Sequence, residues 1–169
     1  MHGVPKRNGA HFEVRRYFAV VAAVANLLLV DAVSKELAAG YLKGTSAVSV
    51  IDGFFNLAYV ENRGCAWGMF QGQVWPLAVF GIVALGFLIW KRKSVFGDGR
   101  LGAFAEPLLY AGIVGNLIDR TVRGYVIDFF DFHWADAYHF PCFNVADVCI
   151  SCAAGLLILA SLLQPKGRG

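Results

Sequence analysis

Residues 115–128 read GNLIDRTVRGYVID and residues 143–147 read FNVAD. Each stretch carries the spacing Asn-x-x-Asp: Asn116 to Asp119, followed at once by Arg120, and Asn144 to Asp147. Asp128 lies between them. The chain before the first stretch and after the second is apolar for about the length of a membrane span. Carboxylates beside lipid-length apolar segments are costly unless they are paired, hydrated or used. Their crowding at one end of an apolar bundle points both to the fold and to a candidate site.

The rest of the chain agrees with a membrane setting. Its 169 residues are enough for one domain and are 57% hydrophobic, with a mean hydropathy of +0.55. A soluble domain has roughly 45–50% apolar residues. The net charge of +3 is small, and no basic run is interleaved with aromatics, so nucleic acid is not an expected partner. Cys65, Cys142, Cys149 and Cys152 make no disulfide framework in so apolar a chain. Cys149 and Cys152 have C-x-x-C spacing inside an apolar run and read as small packing residues.

Four stretches are long enough to cross the hydrocarbon, which takes roughly 20 helical residues each. They cover about 17–37, 74–90, 101–118 and 145–163. Backbone groups in lipid must bond internally, so these are expected to be helices. Ten of the 15 basic residues lie in the two termini and the middle loop: Lys6, Arg7, Arg15, Arg16, Lys91, Arg92, Lys93, Arg100, Lys166 and Arg168. The positive-inside rule then puts both termini and that loop in the cytoplasm. Residues 1–16 and 164–169 become cytoplasmic tails around a single membrane-embedded domain, 17–163. The segments 31–73 and 119–147 face outward, with every acid of the cluster. The first run also has the layout of a signal peptide, with Ala38-Ala39 beyond it and a twin-arginine hint in Arg15-Arg16. Cleavage would leave three spans and set the basic middle loop against the C-terminus, so retention is expected.

The outer loop 45–70 carries Val48, Val50, Phe54, Phe55, Leu57, Tyr59 and Val60, broken by Asp52-Gly53 and Asn62-Arg63-Gly64. That pattern predicts a small hairpin on the membrane, with Trp67, Met69 and Phe70 as interfacial anchors. The eight aromatics between Tyr125 and Phe143 read either as interfacial anchors or as the wall of a lipid-facing groove.

Asp128 and Asp147 flank the short connection between the last two spans, and antiparallel helices bring such ends together. Two carboxylates close enough to interact do not both ionise easily, so one stays protonated. The ionised one then takes a proton from water while the protonated one hydrogen-bonds the scissile carbonyl, as in aspartic proteases. Blander readings stand beside this one. Asn144 and Asp147 fit the N-cap and N3 positions of the last helix. Asp119 and Arg120 read as an interfacial ion pair. Asp31 and Lys35, four apart, read as a pair on one helical turn. His133 beside these acids raises a metal, but no second His stands at ligand spacing, and His139 is six residues on in a presumed loop. Glu106, inside the third span, has no obvious partner. A small ion- or proton-coupled transporter is the alternative function, since intramembrane acids and Arg120 also suit a relay.

The motifs Asp31-Ala-Val-Ser34-Lys35, Asn62-Arg-Gly64-Cys-Ala66-Trp, Gly115-Asn116-Leu-Ile-Asp119-Arg120, Gly124-Tyr-Val126-Ile-Asp128-Phe129 and Phe143-Asn144-Val-Ala146-Asp147 occur in this order. Together they resemble the lipoprotein signal peptidases, or signal peptidase II. The resemblance implies an all-α integral membrane protein of four transmembrane helices with a small periplasmic β-sheet, in the bacterial inner membrane. It implies an aspartic endopeptidase, without metal or cofactor, that cuts diacylglyceryl-modified prolipoproteins before the lipidated cysteine. The family's catalytic pair falls on Asp128 and Asp147. Its supporting residues fall on Asp31, Lys35, Asn62, Gly64, Asn116, Asp119, Arg120, Asn144 and Ala146. Membrane lipid and globomycin-type inhibitors are the further implied ligands, and a monomer is expected. The chain departs from the family pattern at Ala32, Cys65 and Trp67, which puts side-chain preference and inhibitor fit in question but removes no carboxylate.

Overall fold

The computed structural model describes the backbone over residues 7–134 and 138–163, and side chains from residue 13 onward except Ala66. Helix α1 runs Arg7–Leu42, α2 Val74–Trp90, the short α3 Arg92–Phe96, α4 Arg100–Val122 and α5 Val145–Leu163. Strands β1 (Val48–Ile51), β2 (Phe55–Asn62), β3 (Val126–Trp134) and β4 (Tyr138–His139) form one antiparallel sheet in chain order. Three helices, over Glu13–Leu42, Arg100–Val122 and Val145–Leu163, are long and apolar enough to cross a membrane, and α2 is a shorter apolar helix of 17 residues.

The expected runs at 74–90 and 145–163 coincide with α2 and α5, while α1 and α4 extend past theirs. In a helix every interior peptide is bonded, so helix continues beyond the apolar stretch wherever nothing breaks it. The outer faces expose large apolar side chains, among them Phe18, Phe80, Trp90, Phe104 and Leu162, which suits contact with lipid tails.

Helix α4 is the central element and packs against α1, α2, α3 and α5. Its small residues allow the close approach. A Cβ on Gly112 would lie 2.5 Å from the carbonyl oxygen of Ala146, and one on Gly115 would lie 2.6 Å from Asp31 Oδ2. Two apolar clusters cap the ends of the bundle. Phe96, Ala105 and Ala153 pack at one end, and Ala38, Ile127 and Phe129 join α1 to the sheet at the other.

The sheet is larger than the expected hairpin. β1 and β2 match the strand-like loop, but β3 and β4 arise from the aromatic stretch read as interfacial anchors or the wall of a groove. Strand β3 is buried over Val126–Phe129, covered on both faces, so it lacks the in–out alternation that marks a half-exposed strand. Gly124, at φ +77°, makes the left-handed turn that reverses the chain from α4 into β3.

Candidate functional site

Each polar residue is set in place by a specific local feature. In β2, Val60 lies opposite Asp128 of β3, so Asn62 is its diagonal neighbour on the same face. Asn62 Nδ2 donates to Asp128 Oδ2 at 2.9 Å. Beyond β3 the chain pairs back on it: Phe143 O accepts from the N–H groups of Phe129 (3.1 Å) and Phe130 (2.9 Å). This brings Asn144, fully buried, against Asp128, and its Nδ2 donates to Asp128 Oδ1 at 2.7 Å.

Asn144 then opens α5. Its N–H donates to Asp147 Oδ2 at 3.2 Å, and the Asp147 N–H donates to Asn144 Oδ1 at 3.0 Å. This reciprocal cap is the one expected from the Asn-x-x-Asp spacing. It does not exhaust Asp147, whose Oδ1 accepts from Asn116 Nδ2 at 2.7 Å. Asn116 Oδ1 accepts in turn from Asn144 Nδ2 (3.2 Å) and Lys35 Nζ (3.3 Å). Asn144 and Asn116 thus join Asp128 and Asp147 through side-chain amides.

A buried ion cluster stands behind this centre. Lys35 Nζ lies 2.8 Å from Asp31 Oδ2 and 3.0 Å from Asp119 Oδ2. Asp31 Oδ1 accepts the Ala146 N–H at 2.9 Å, fastening α1 to the first turn of α5. The Ala146 side chain faces Gly115, where an added Cβ would lie 3.3 Å from that of Ala146. Asp119 takes Arg123 Nε at 3.0 Å and the Ile127 N–H at 3.3 Å, holding the turn that leads to Asp128. The expected Asp119–Arg120 ion pair is not among the pairs seen in the described residues; Asp119 pairs with Lys35 and Arg123 instead. Adjacent residues on a helix point about 100° apart, whereas i and i+4 share a face. Arg120 NH2 donates to Gly64 O at 3.1 Å. Gly64 also donates to Asn62 Oδ1 at 2.9 Å, and a Cβ there would strike the Met69 carbonyl.

Two cavities meet at this network. One, about 430 Å³, lies between the segment Phe140–Phe143 and α5. The other, about 980 Å³, opens between α2 and α4 and is lined by Phe80, Ile113 and Leu117. Asn116, Arg120, Asp147, Cys65 and Ile150 border both. Asp128 is only 1% exposed and sits behind Asn62, which faces the first cavity. Burial, followed by the charge of Asp147, pushes the Asp128 carboxyl up to about 7, against the pull of Asn62, Asn144 and Lys35. The surroundings therefore favour the protonated form of Asp128, which is recessed, while Asp147 stands on the cavity wall.

All eleven residues singled out in the sequence belong to this region. Two of the three departures fall at its margin: Cys65 borders both cavities, and Trp67 packs edge-on against Phe140 with ring centroids 5.6 Å apart, whereas Ala32 is exposed on α1 and lines neither cavity. Glu106 sits toward the other end of α4, bonded to Arg16 at 3.0 Å and to Arg92. Its partners lie 90 and 14 positions away, so no local spacing announced them. The sequence reading weighed His133 and His139 as metal ligands and set them aside, and it did not single out Asp131; the three converge on the sheet. The signal was Asp-x-His, a same-face spacing once that stretch is a strand.

The model of the family described as signal peptidase (SPase) II matches residues 23–163. The lipoprotein signal peptidase of Syntrophotalea carbinolica is 40% identical over 147 residues, covering 85% of this chain and 91% of that protein. That of Clostridium acetobutylicum is 36% identical over 146 residues, covering 86% and 94%. A solved structure titled as a bacterial membrane enzyme, obtained by the in meso method at 2.3 Å resolution, superposes with a TM-score of 0.75 at 29% identity, covering 89% of this chain and 94% of that one. The chain belongs to the signal peptidase II family.

Proposed function

We propose that this protein is an aspartic endopeptidase that removes the signal peptide from diacylglyceryl-modified prolipoproteins, with Asp128 and Asp147 as its catalytic pair. The carrying observation is that Asn144 donates to both carboxyls while burial raises Asp128 to about 7. In this reading the Asp147 carboxylate takes a proton from water as the water oxygen attacks the scissile carbonyl. Protonated Asp128 hydrogen-bonds the carbonyl oxygen and stabilises the tetrahedral intermediate. Collapse breaks the C–N bond. The proton held by Asp147 goes to the departing amino group of the lipidated cysteine, and the signal peptide leaves with a new carboxyl.

The supporting residues take graded roles. Asn62, Asn116 and Asn144 orient the pair, and Arg120 with Gly64 borders the substrate path. Asp31, Lys35, Asp119 and Ala146 hold the scaffold behind it. The apolar groove between α2 and α4 suits an acyl chain or an apolar signal segment, and globomycin-type inhibitors would occupy the same region.

The protein is a bacterial membrane protein; we place it as a monomer in the inner membrane with α2 as a fourth span. At about 1.5 Å per residue, 17 residues reach roughly 26 Å, near the lower limit for spanning. Charge asymmetry puts both termini in the cytoplasm and the pair at the periplasmic face. The transporter alternative lacks support. The family that the chain belongs to is one of signal peptidases, and the buried ion pairs of α4 gather in two separate clusters, one around Asp119 and one around Glu106.

The test is direct: purified protein is incubated with a diacylglyceryl prolipoprotein, and the signal-peptide mass loss is followed. Wild type should cleave. Cleavage at the wild-type rate by Asp128→Asn or Asp147→Asn would sink the assignment.

A further inference from the structure

Beyond peptide cleavage, the outer sheet presents a second chemistry. Asp131 and His133 are two apart on β3 and so share a face. His139 of β4 is the direct cross-strand partner of His133, which puts it on that face too. One carboxylate oxygen and one nitrogen from each imidazole all lie within 4.8 Å of one another. The two rings stack at 5.1 Å, and His139 Nδ1 is 3.1 Å from Asp131 Oδ1. Asn56 Nδ2 lies 3.4 Å from the other oxygen, Oδ2, as an outer support of the kind ligating carboxylates use.

A hydrogen-bonded His139–Asp131 pair alone leaves a loose end. His133 is buried, and its Nδ1 has no hydrogen-bond partner among the described residues. Buried polar atoms are nearly always satisfied, and an orphan calls for an unseen partner. Two imidazoles and a carboxylate are a donor set for a first-row divalent ion, with a water completing four-coordination.

We propose that Asp131, His133 and His139 bind a divalent transition ion of the zinc class, which clamps β4 onto β3. Strand β4 has only two residues and is lightly held by its own pairing. It runs directly into Phe140–Phe143, the wall of the cavity beside Asp147. An ion bridging His133 and His139 therefore fixes that wall without touching the catalytic pair.

The probe is zinc itself, added to the purified full-length protein in detergent after chelator treatment. Wild type should take up one zinc per chain, and His133→Ala and His139→Ala should each bind at least about tenfold more weakly. Cobalt(II) in its place should show visible d–d bands without a thiolate charge-transfer band. Zinc should slow amide exchange across residues 138–143. Should the buried His133 variant misfold, the more exposed His139→Gln carries the comparison, its metal-free melting point checked against metal-free wild type. Zinc uptake equal in wild type and the His139 variant overturns the site, and so does a thiolate band. Unchanged exchange in the zinc-bound protein overturns the clamp.

Discussion

Asn144 donates its side-chain amide to Asp128 at 2.7 Å and its backbone N–H to Asp147 at 3.2 Å, so one residue holds both carboxyls. A helix cap has become the hinge of a candidate active site. The cap explains why α5 begins there, and the second bond explains why Asn suits the position better than Ser or Thr. Only the carboxamide offers Oδ1 to the Asp147 N–H and Nδ2 to Asp128 at once.

The first prediction concerns the pair. Asp128→Asn and Asp147→Asn should each lower kcat by about 10²–10⁴-fold or more, the usual worth of a positioned acid or base. Thermal unfolding in detergent should show that both variants remain folded. A rate loss matched by unfolding would assign the carboxyls to scaffolding alone.

The pH dependence follows from the raised Asp128 carboxyl. The proposed mechanism needs a proton on Asp128, so kcat/KM should fall as pH rises through about 7. Asn62 donates to the ionised form and holds this value down. Asn62→Ala should therefore move the alkaline limb upward, beyond any drop in rate. Stability has the same sign. Asp128 binds its proton more tightly folded than unfolded, so its contribution is full below about pH 4 and is lost as pH rises through about 7. Melting curves from pH 5 to pH 8 check this.

Lys35 is 1% exposed between two carboxylates. Lys35→Ala should destabilise by about 3–5 kcal/mol, because it strands buried charge instead of merely losing a contact. Asp31→Asn should cost less, since Lys35 keeps Asp119. Melting points of the two variants side by side test the order.

At Gly112 a methyl group would meet the backbone of Ala146, which cannot rotate away. Gly112→Ala should cost about 1–3 kcal/mol through overpacking and should shift α5 with Asp147. We expect lower stability together with lower kcat, measured by melting and by the cleavage assay.

Glu106 ties α1, α3 and α4 through Arg16 and Arg92. Glu106→Ala should destabilise by about 2–4 kcal/mol, as two arginines lose a buried partner. The protein that remains folded should cleave with near wild-type KM, because Glu106 borders neither cavity.

Much of the site was legible because its residues sit at element boundaries, where polar types stand out against apolar runs. The Asp31–Lys35 pair and the Asn144–Asp147 cap needed only helical spacing. Strand β3 was harder. Its aromatics suited a membrane interface as well as a sheet, and burial on both faces removed the alternation that distinguishes them. Asp119 was assigned to its chain neighbour Arg120, though helix geometry turns it to Lys35 and Arg123. His139 was set aside because six intervening residues looked like a loop; a hairpin places it opposite His133.

The sequence by itself determined the apolar runs, their order, and the acids and amides at their outer ends. Hydropathy is a local sum over consecutive residues, so no knowledge of packing is needed to find a membrane helix. Only the tertiary structure decided which acid meets which amide. Asp128 is bonded by Asn144, 16 positions away, and by Asn62, 66 positions away, and Asp31 is bonded by Ala146 across 115. A hydrogen bond depends on distance through space, and a carboxyl's proton depends on how much water its neighbours exclude. Both are set when α1, α4, α5 and β3 close on one another.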